Sequence, residues 1–511
     1  MTTDATSSTP EPGRPRAAAI HPEEDYPDPR SELQRQDDES IGTEQSAALT
    51  DVGPDPHRLI DEIIAGIQAE RRETVRFHLD SPPLQFDVLP RPGPPDQPDQ
   101  PDLGDTILVA SGELLLRVPA DVAAGPGPDT AGRPGAADEA PPPFDVADGL
   151  LRELGYRPVT PPFHALLPMR KYVIEDRGAD QLLRDRDQIR AETGAELDLN
   201  YVVTAGHLVK ADDYPRKTAA HRCYPPEWIR RHPVTRKVTV AVIDTGINHE
   251  SRADGWLAGI AEGGDNLDPL DVFPVRDVNG QIVRGDGLLD LSAGHGTFVA
   301  GVVEQVAPAC TIVVYRAVDT EGMGTSDDVG NAIIQAANDG ADIINLSLGT
   351  MTVDNLPPVA FTAALDIVAA AHPDVLIVAS AGNTGLETPM FPAAMKGVVG
   401  VGALAADLTP APWSNHGFWV NCSAVGIGVI STFVEGVEPH TDAGAVVTEQ
   451  FGPDAWAIWS GTSFSAPQIA GAVAQLCQLN DVGPAVALGQ LLAGRPTLPG
   501  FGFVVPILPG T

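Results

Sequence analysis

Basic residues are scarce in this 511-residue chain: 33 Lys and Arg stand against 70 Asp and Glu, a formal net charge of −37. So acidic a surface repels the phosphate backbone of nucleic acid and the anionic face of a membrane, which excludes both as partners. It suits a soluble, non-aggregating protein and by itself says nothing about a substrate. No run of about 18 apolar residues occurs, so there is no candidate membrane span. Residues 1–20, MTTDATSSTPEPGRPRAAAI, lack the apolar core of a secretion signal. The expected location is therefore the cytoplasm, with export by a signal-independent route left open. The four cysteines (Cys223, Cys310, Cys422, Cys477) are far apart and form no CxxC pair. They read as small buried side chains, Cys310 and Cys477 lying in runs expected to be core. No internal repeat is visible. The string EGMGTSD at 321–327 lacks the third glycine of a dinucleotide-binding loop, which excludes a nucleotide site there.

The chain is long enough for more than one domain. Residues 1–56 hold 13 acids, 4 bases and 8 prolines with few aliphatics, the composition of a disordered acidic tail. In 57–102 a short helix is expected, since Ile60, Ile63, Ile64 and Ile67 fall at i, i+3, i+4, i+7. A Pro-rich extended spacer follows at 81–105. Residues 103–206 alternate strand-like and helix-like stretches in the order βα-β(β)-αβ, a small α+β domain with a Pro/Gly/Ala-rich loop at 119–143. Residues 207–234 are polar, contain prolines and read as an exposed linker. The remainder, 235–511, forms the largest unit.

That unit carries four short strings with chemistry in them: VAVIDTG at 240–246, GHGTFVAG at 294–301, ASAGN at 379–383 and GTSFSAP at 461–467. Each sets one residue, Asp244, His295, Asn383 or Ser463, in a glycine-containing turn beside an apolar run. Taken singly, each is an ordinary turn or cap residue. Together they supply what acyl transfer needs. A serine hydroxyl is a poor nucleophile until a base removes its proton, which His295 would do. Asp244 would hold the imidazole in its tautomer and stabilise the imidazolium. The developing oxyanion needs fixed donors, which the Asn383 amide and the Ser463 backbone N–H would supply. KVTVAVID (237–244), ADIINLSLG (341–349) and DVLIVASAGN (374–383) read as buried parallel strands. Helices are expected from His295 and from Ser463, the latter burying Phe464, Ile469, Val473 and Leu476. The expected fold is α/β, a doubly wound, mainly parallel sheet with helices on both faces. Asp244 and Asn383 sit at the carboxyl edge where such sheets bind ligands.

In these strings and their order Asp, His, Ser, residues 235–480 resemble the subtilisin-like serine peptidases. The resemblance implies a serine endopeptidase with catalytic Asp244, His295 and Ser463, and Asn383 in the oxyanion hole. It implies a peptide or protein substrate clamped as an added strand between Ser347-Leu348-Gly349 and Gly322-Met323-Gly324, with Gly322 and Gly324 on the second edge. Thr350 stands where the family commonly has a glycine, at the far wall of the main specificity pocket. Val299 stands where a thiol-dependent subgroup carries cysteine. No cofactor is required; calcium is a common stabiliser of the family, but the acidic insert at 265–290 lacks EF-hand spacing and reads as a solvated loop, with a hairpin turn at Val278-Asn279-Gly280. His249 and His416 read as structural, and no metal ligand is assigned. The α+β unit resembles the family's prodomain, which makes the chain's own N-terminal region a candidate inhibitor. Tyr201-Val202-Val203 would then lie beside Ser347-Leu348-Gly349. Transpeptidation at the same site, or a silent peptide-binding scaffold, are the alternatives.

Overall fold

The computed structural model describes residues 84–89, 107–119, 142–160, 165–205, 214–218, 236–248, 252–262, 266–272, 275–276, 282–283, 287–442 and 445–508. The expected acidic tail, the isoleucine-rich helix and the loop at 120–141 lie outside these residues.

Apolar alternation builds the N-terminal unit. Strand β1 (Phe86–Leu89) pairs antiparallel with β2 (Ile107–Arg117), and helix α1 (Pro143–Glu153) follows. Then come β3 (Arg157–Pro158), β4 (Met169–Val173), helix α2 (Ala179–Thr193) and β5 (Leu197–Thr204). The spacer expected at 81–105 thus contains a strand. Phe86 and Leu89 are buried ends that hold this segment against β2 despite its prolines. β2 is central, with β4 on one side and β5 on the other, both antiparallel.

The segment expected as a linker also contributes, as β6 (Arg216–Thr218). Beyond it the large unit opens with β7 (Thr239–Asp244), followed by the two-residue strands β8 (Ala261–Glu262), β9 (Val275–Arg276) and β10 (Ile282–Val283). β9 and β10 pair antiparallel and flank the expected hairpin turn, which lies outside the described residues. Next are helix α3 (His295–Val306), β11 (Thr311–Arg316), β12 (Met323–Thr325), helix α4 (Ser326–Asn338), β13 (Ile343–Leu346) and helix α5 (Val359–Ala371). Then β14 (Leu376–Ser380), β15 (Val398–Leu404), β16 (Val420–Val425) and β17 (Val429–Thr432) are followed by a hairpin of β18 (Gly436–Asp442) and β19 (Ala445–Phe451). The chain closes with β20 (Trp456–Trp459), helix α6 (Thr462–Asn480), helix α7 (Pro484–Leu492), β21 (Thr497–Leu498) and β22 (Gly502–Val504).

The main sheet runs β21-β22-β16-β15-β14-β13-β7-β11-β8, parallel throughout except for β21. After β7 the chain crosses to β11 on one side and later returns to β13 on the other. Its order therefore reverses between β7 and β13, the position where crossovers splay apart and leave a crevice. The period-two alternation of β7 sends Val240 and Val242 into a core shared with α3 and α6. Ala241 and Ile243 enter a second core with α4 and α5 that continues into Leu114, Leu116, Leu199 and Tyr201 of the N-terminal unit. Each such valine, leucine or isoleucine contributes about 1.5–3 kcal/mol on burial. Among the described residues no helix is long and apolar enough to cross a membrane.

Candidate active site

Asp244 is the last residue of β7, and α3 begins at His295. A Cβ on Gly296 would lie 2.2 Å from the Gly246 carbonyl oxygen, so only glycine lets this helix approach the Asp244 turn so closely. His295 Nδ1 lies 2.7 Å from Asp244 Oδ1, which also accepts the Thr245 N–H at 2.8 Å. Both residues are buried, at 0% and 2% exposure. Asp244 Oδ2 has no hydrogen-bond partner among the described residues. The imidazole is packed edge-on to Trp459, with centroids 5.4 Å apart, and tilted against Phe464 at 5.3 Å. These rings shield it from water.

Ser463 lies in the first turn of α6, where unpaired N–H groups favour negative charge. Pro467 sits four residues on and has no N–H to return to the Ser463 carbonyl. The Ser347 hydroxyl donates to that carbonyl instead, at 2.7 Å. Ser463 Oγ in turn donates to the Ser347 carbonyl at 3.3 Å rather than to His295 Nε2. In unliganded sites such catalytic bonds are often long and tighten when substrate binds. Asn383 follows β14. Its Oδ1 accepts from the Thr462 N–H at 2.9 Å and the Thr462 hydroxyl at 2.7 Å, so Nδ2 is the atom left to face a ligand. The structure thus gathers Asp244, His295, Ser463 and Asn383 at the switch-point crevice, with Ser347 beside them.

The other edge residues are occupied by the chain itself. β12 pairs antiparallel with β5, setting Met323, Gly324 and Thr325 opposite Thr204, Val203 and Val202. On the other side Thr204 and Gly349 exchange backbone bonds of 2.9 and 3.0 Å, and the Ala205 N–H donates to the Gly322 carbonyl at 2.8 Å. Leu348 and Val203 belong to one buried apolar cluster. Residues 201–203 were expected beside Ser347-Leu348-Gly349; the register instead brings Thr204 to Gly349. The reason is a second set of contacts that fixes β5. Asp198 Oδ2 accepts the Val359 N–H at the start of α5 at 3.3 Å, and Asn200 bonds Ser326 and Asp327 at the start of α4. Asp198 also pairs with Arg186 at 3.1 Å; burial nonetheless pushes its carboxyl up.

Three site features escaped the sequence. Asp268 and Asp290, expected in a solvated loop, are buried. Asp268 accepts the Gly294 N–H at 2.8 Å and the Thr245 hydroxyl at 3.1 Å, bracing the turns that carry His295 and Asp244; burial pushes its carboxyl up to about 6. The leucines that flank them, Leu267 and Leu270 beside Asp268 and Leu289 beside Asp290, were the available signal. Met390 lies against Gly349 and Gly382, and nothing in its neighbourhood of sequence marks it. The segment expected as an exposed linker carries β6, which pairs with β20 just ahead of Ser463 because β20 offers a free edge beyond β17. Among the described residues no group of three or more His, Cys, Asp or Glu is gathered as a metal would require. Cys422 and Cys477 are buried free thiols and Cys310 is half-buried. Cys223 and His249 lie outside the described residues; His416 stacks on Phe501.

A family model described as the subtilase family matches residues 235–493. A thermophilic serine proteinase of Bacillus sp. strain AK1 is 33% identical over 243 residues, covering 46% of this chain and 51% of that protein. Thermitase of Thermoactinomyces vulgaris is 30% identical over 234 residues, 45% of this chain and 72% of that protein. The chain spans about half the length of the first curated relatives it matches. Fervidolysin from Fervidobacterium pennivorans, a keratinolytic enzyme related to subtilisin, superposes with a TM-score of 0.51 at 17% identity, covering 78% of this chain and 60% of that one. At that identity the likeness is one of fold.

Proposed function

The chain belongs to the subtilase family, and from that premise we propose that it is a serine endopeptidase acting on peptide or protein substrates. The observation that carries the reading is the buried 2.7 Å contact of His295 Nδ1 with Asp244 Oδ1 beside Ser463 and Asn383. A substrate strand lies between Gly322–Gly324 and Ser347–Gly349, and its N–H takes the Ser347 carbonyl. That acceptor is the one Ser463 now uses, so the hydroxyl is released to turn toward His295. Ser463 Oγ then attacks the carbonyl carbon while His295 Nε2 takes its proton, and Asp244 stabilises the imidazolium. The oxyanion is held by Asn383 Nδ2 and the Ser463 N–H. His295 returns the proton to the departing amine, leaving an acyl-enzyme that water, activated by the same imidazole, hydrolyses.

The finer reading concerns the N-terminal unit. We infer that it is an internal inhibitor, supported by β5 lying across both edges where substrate would bind. A strand continued two residues past the Thr204–Gly349 pair would set Gly206 opposite Ser347, and on that register we place the bond to be cut at Gly206–His207. Mass spectrometry of purified wild-type and Ser463→Ala chains tests both readings. A mature N-terminus at His207 is expected in the wild type alone, with fluorophosphonate labelling lost in the variant. Full labelling of Ser463→Ala would sink the triad assignment. An intact 53.6 kDa wild-type chain that already hydrolyses peptides would remove the inhibitory role.

A further inference from the structure

A peptide bound at this site must place a side chain beside Ser463, and the structure shows what is already there. β13 and β14 are adjacent, with Leu346 paired to Ala379. Beyond their ends the chain continues as Ser347–Thr350 on one side and Ala381–Asn383 on the other, two walls that meet at Ser463 and Thr462. Each wall offers a glycine to the space between them. A Cβ on Gly349 would lie 2.7 Å from Met390 Cγ and 3.0 Å from its sulfur; a Cβ on Gly382 would lie 2.7 Å from Met390 Cε. The methionine side chain therefore crosses from wall to wall. It is buried, at 9% exposure, and its base is pinned because Thr350 and Phe391 exchange backbone bonds of 2.8 Å each. The glycines create room, and Met390 fills it.

We propose that Met390 is a specificity-determining residue: it plugs the pocket for the side chain on the acyl side of the scissile bond, so that the enzyme cleaves after glycine, alanine or serine and rejects large apolar residues. The inference rests on the endopeptidase reading. The sequence supports it separately: a strand continued two residues past the Thr204–Gly349 pair would reach Gly206, a residue that needs no pocket.

The test uses the full chain and peptides copying residues 201–211 with Gly, Ala or Phe at position 206, with fluorophosphonate labelling to count competent serines. The wild type is expected to favour Gly and Ala over Phe by about 100-fold or more in kcat/KM, the scale of an excluded side chain. In Met390→Gly the ratio should move at least about tenfold toward Phe, and Met390→Ala should move it the same way should the glycine variant fail to fold. A wild type that labels and cleaves the Phe peptide as fast as the Gly peptide overturns the plug while leaving the hydrolase reading intact. So does a preference unmoved in both variants. If neither variant folds, the wild-type preference decides alone. A wild type that carries the mature N-terminus yet neither labels nor cleaves overturns the endopeptidase reading, and this proposal with it.

Discussion

Replacing Asp244 by Asn separates charge from geometry at the Asp244–His295 pair. The buried Oδ1 accepts from both the Thr245 N–H and His295 Nδ1, at 2.8 and 2.7 Å. An asparagine must keep its oxygen there, because its NH2 would oppose the Thr245 N–H. The His295 tautomer is then preserved, with the proton on Nδ1 and Nε2 free to act as base. What is lost is the negative charge facing the imidazolium. At about 4 Å and an effective dielectric of about 20, that attraction is worth about 4 kcal/mol. The predicted fall in kcat is about 10³-fold with KM little changed. The NH2 would occupy the Oδ2 position, which has no partner among the described residues, at a further cost of about 1–3 kcal/mol of stability. Steady-state kinetics on a peptide ester, with thermal unfolding of the same protein, checks both parts. A fall in kcat under tenfold would show that the charge of Asp244 does little for the transition state. A rise in KM alone would show that the residue shapes ground-state binding.

Asn383→Ala should lower kcat by about 10²–10³ with KM little changed, because its amide acts on the developing oxyanion; this is the range for removing the oxyanion-hole asparagine of subtilisin. A loss confined to KM would remove Asn383 from the oxyanion hole. The raised carboxyl of Asp268 makes a pH prediction. Its folded value, about 6, exceeds the ordinary aspartate value of 3.8, so the native state binds more protons between pH 4 and 6. The contribution to stability is complete below pH 4 and is lost as pH rises through 6, by at most about 3 kcal/mol. Thermal unfolding in a Ser463→Ala background, with and without Asp268→Asn, should show this component only where Asp268 is present; identical pH dependences would refute the assignment.

Much of this protein is written locally. A buried parallel strand is a run of β-branched residues on both faces, and its end is marked where a polar residue and glycine follow. KVTVAVID-TG and DVLIVASAGN-T therefore announce both a strand and the candidate site residue at its tip. Helices beginning at His295 and Ser463 are announced in the same way, since glycine before them and apolar residues all round suit a helix buried in the core. What the sequence left open was decided by contacts between segments far apart in the chain. The register of β5 depends on Asp198 and Asn200 meeting the starts of α5 and α4, so Thr204 rather than Tyr201–Val203 reaches Gly349. The burial of Asp268 depends on the turns at Gly294 and Thr245 enclosing it. β6 is a strand only because β20 leaves an edge beyond β17 for it to join. Met390 becomes a wall-to-wall plug only because β13 and β14 hold Gly349 and Gly382 on either side of it. Hydrophobic period and turn chemistry act over a few residues and can be read along the chain; register, burial of a lone carboxylate and the filling of a pocket are properties of packing, and exist only once the distant segments have met.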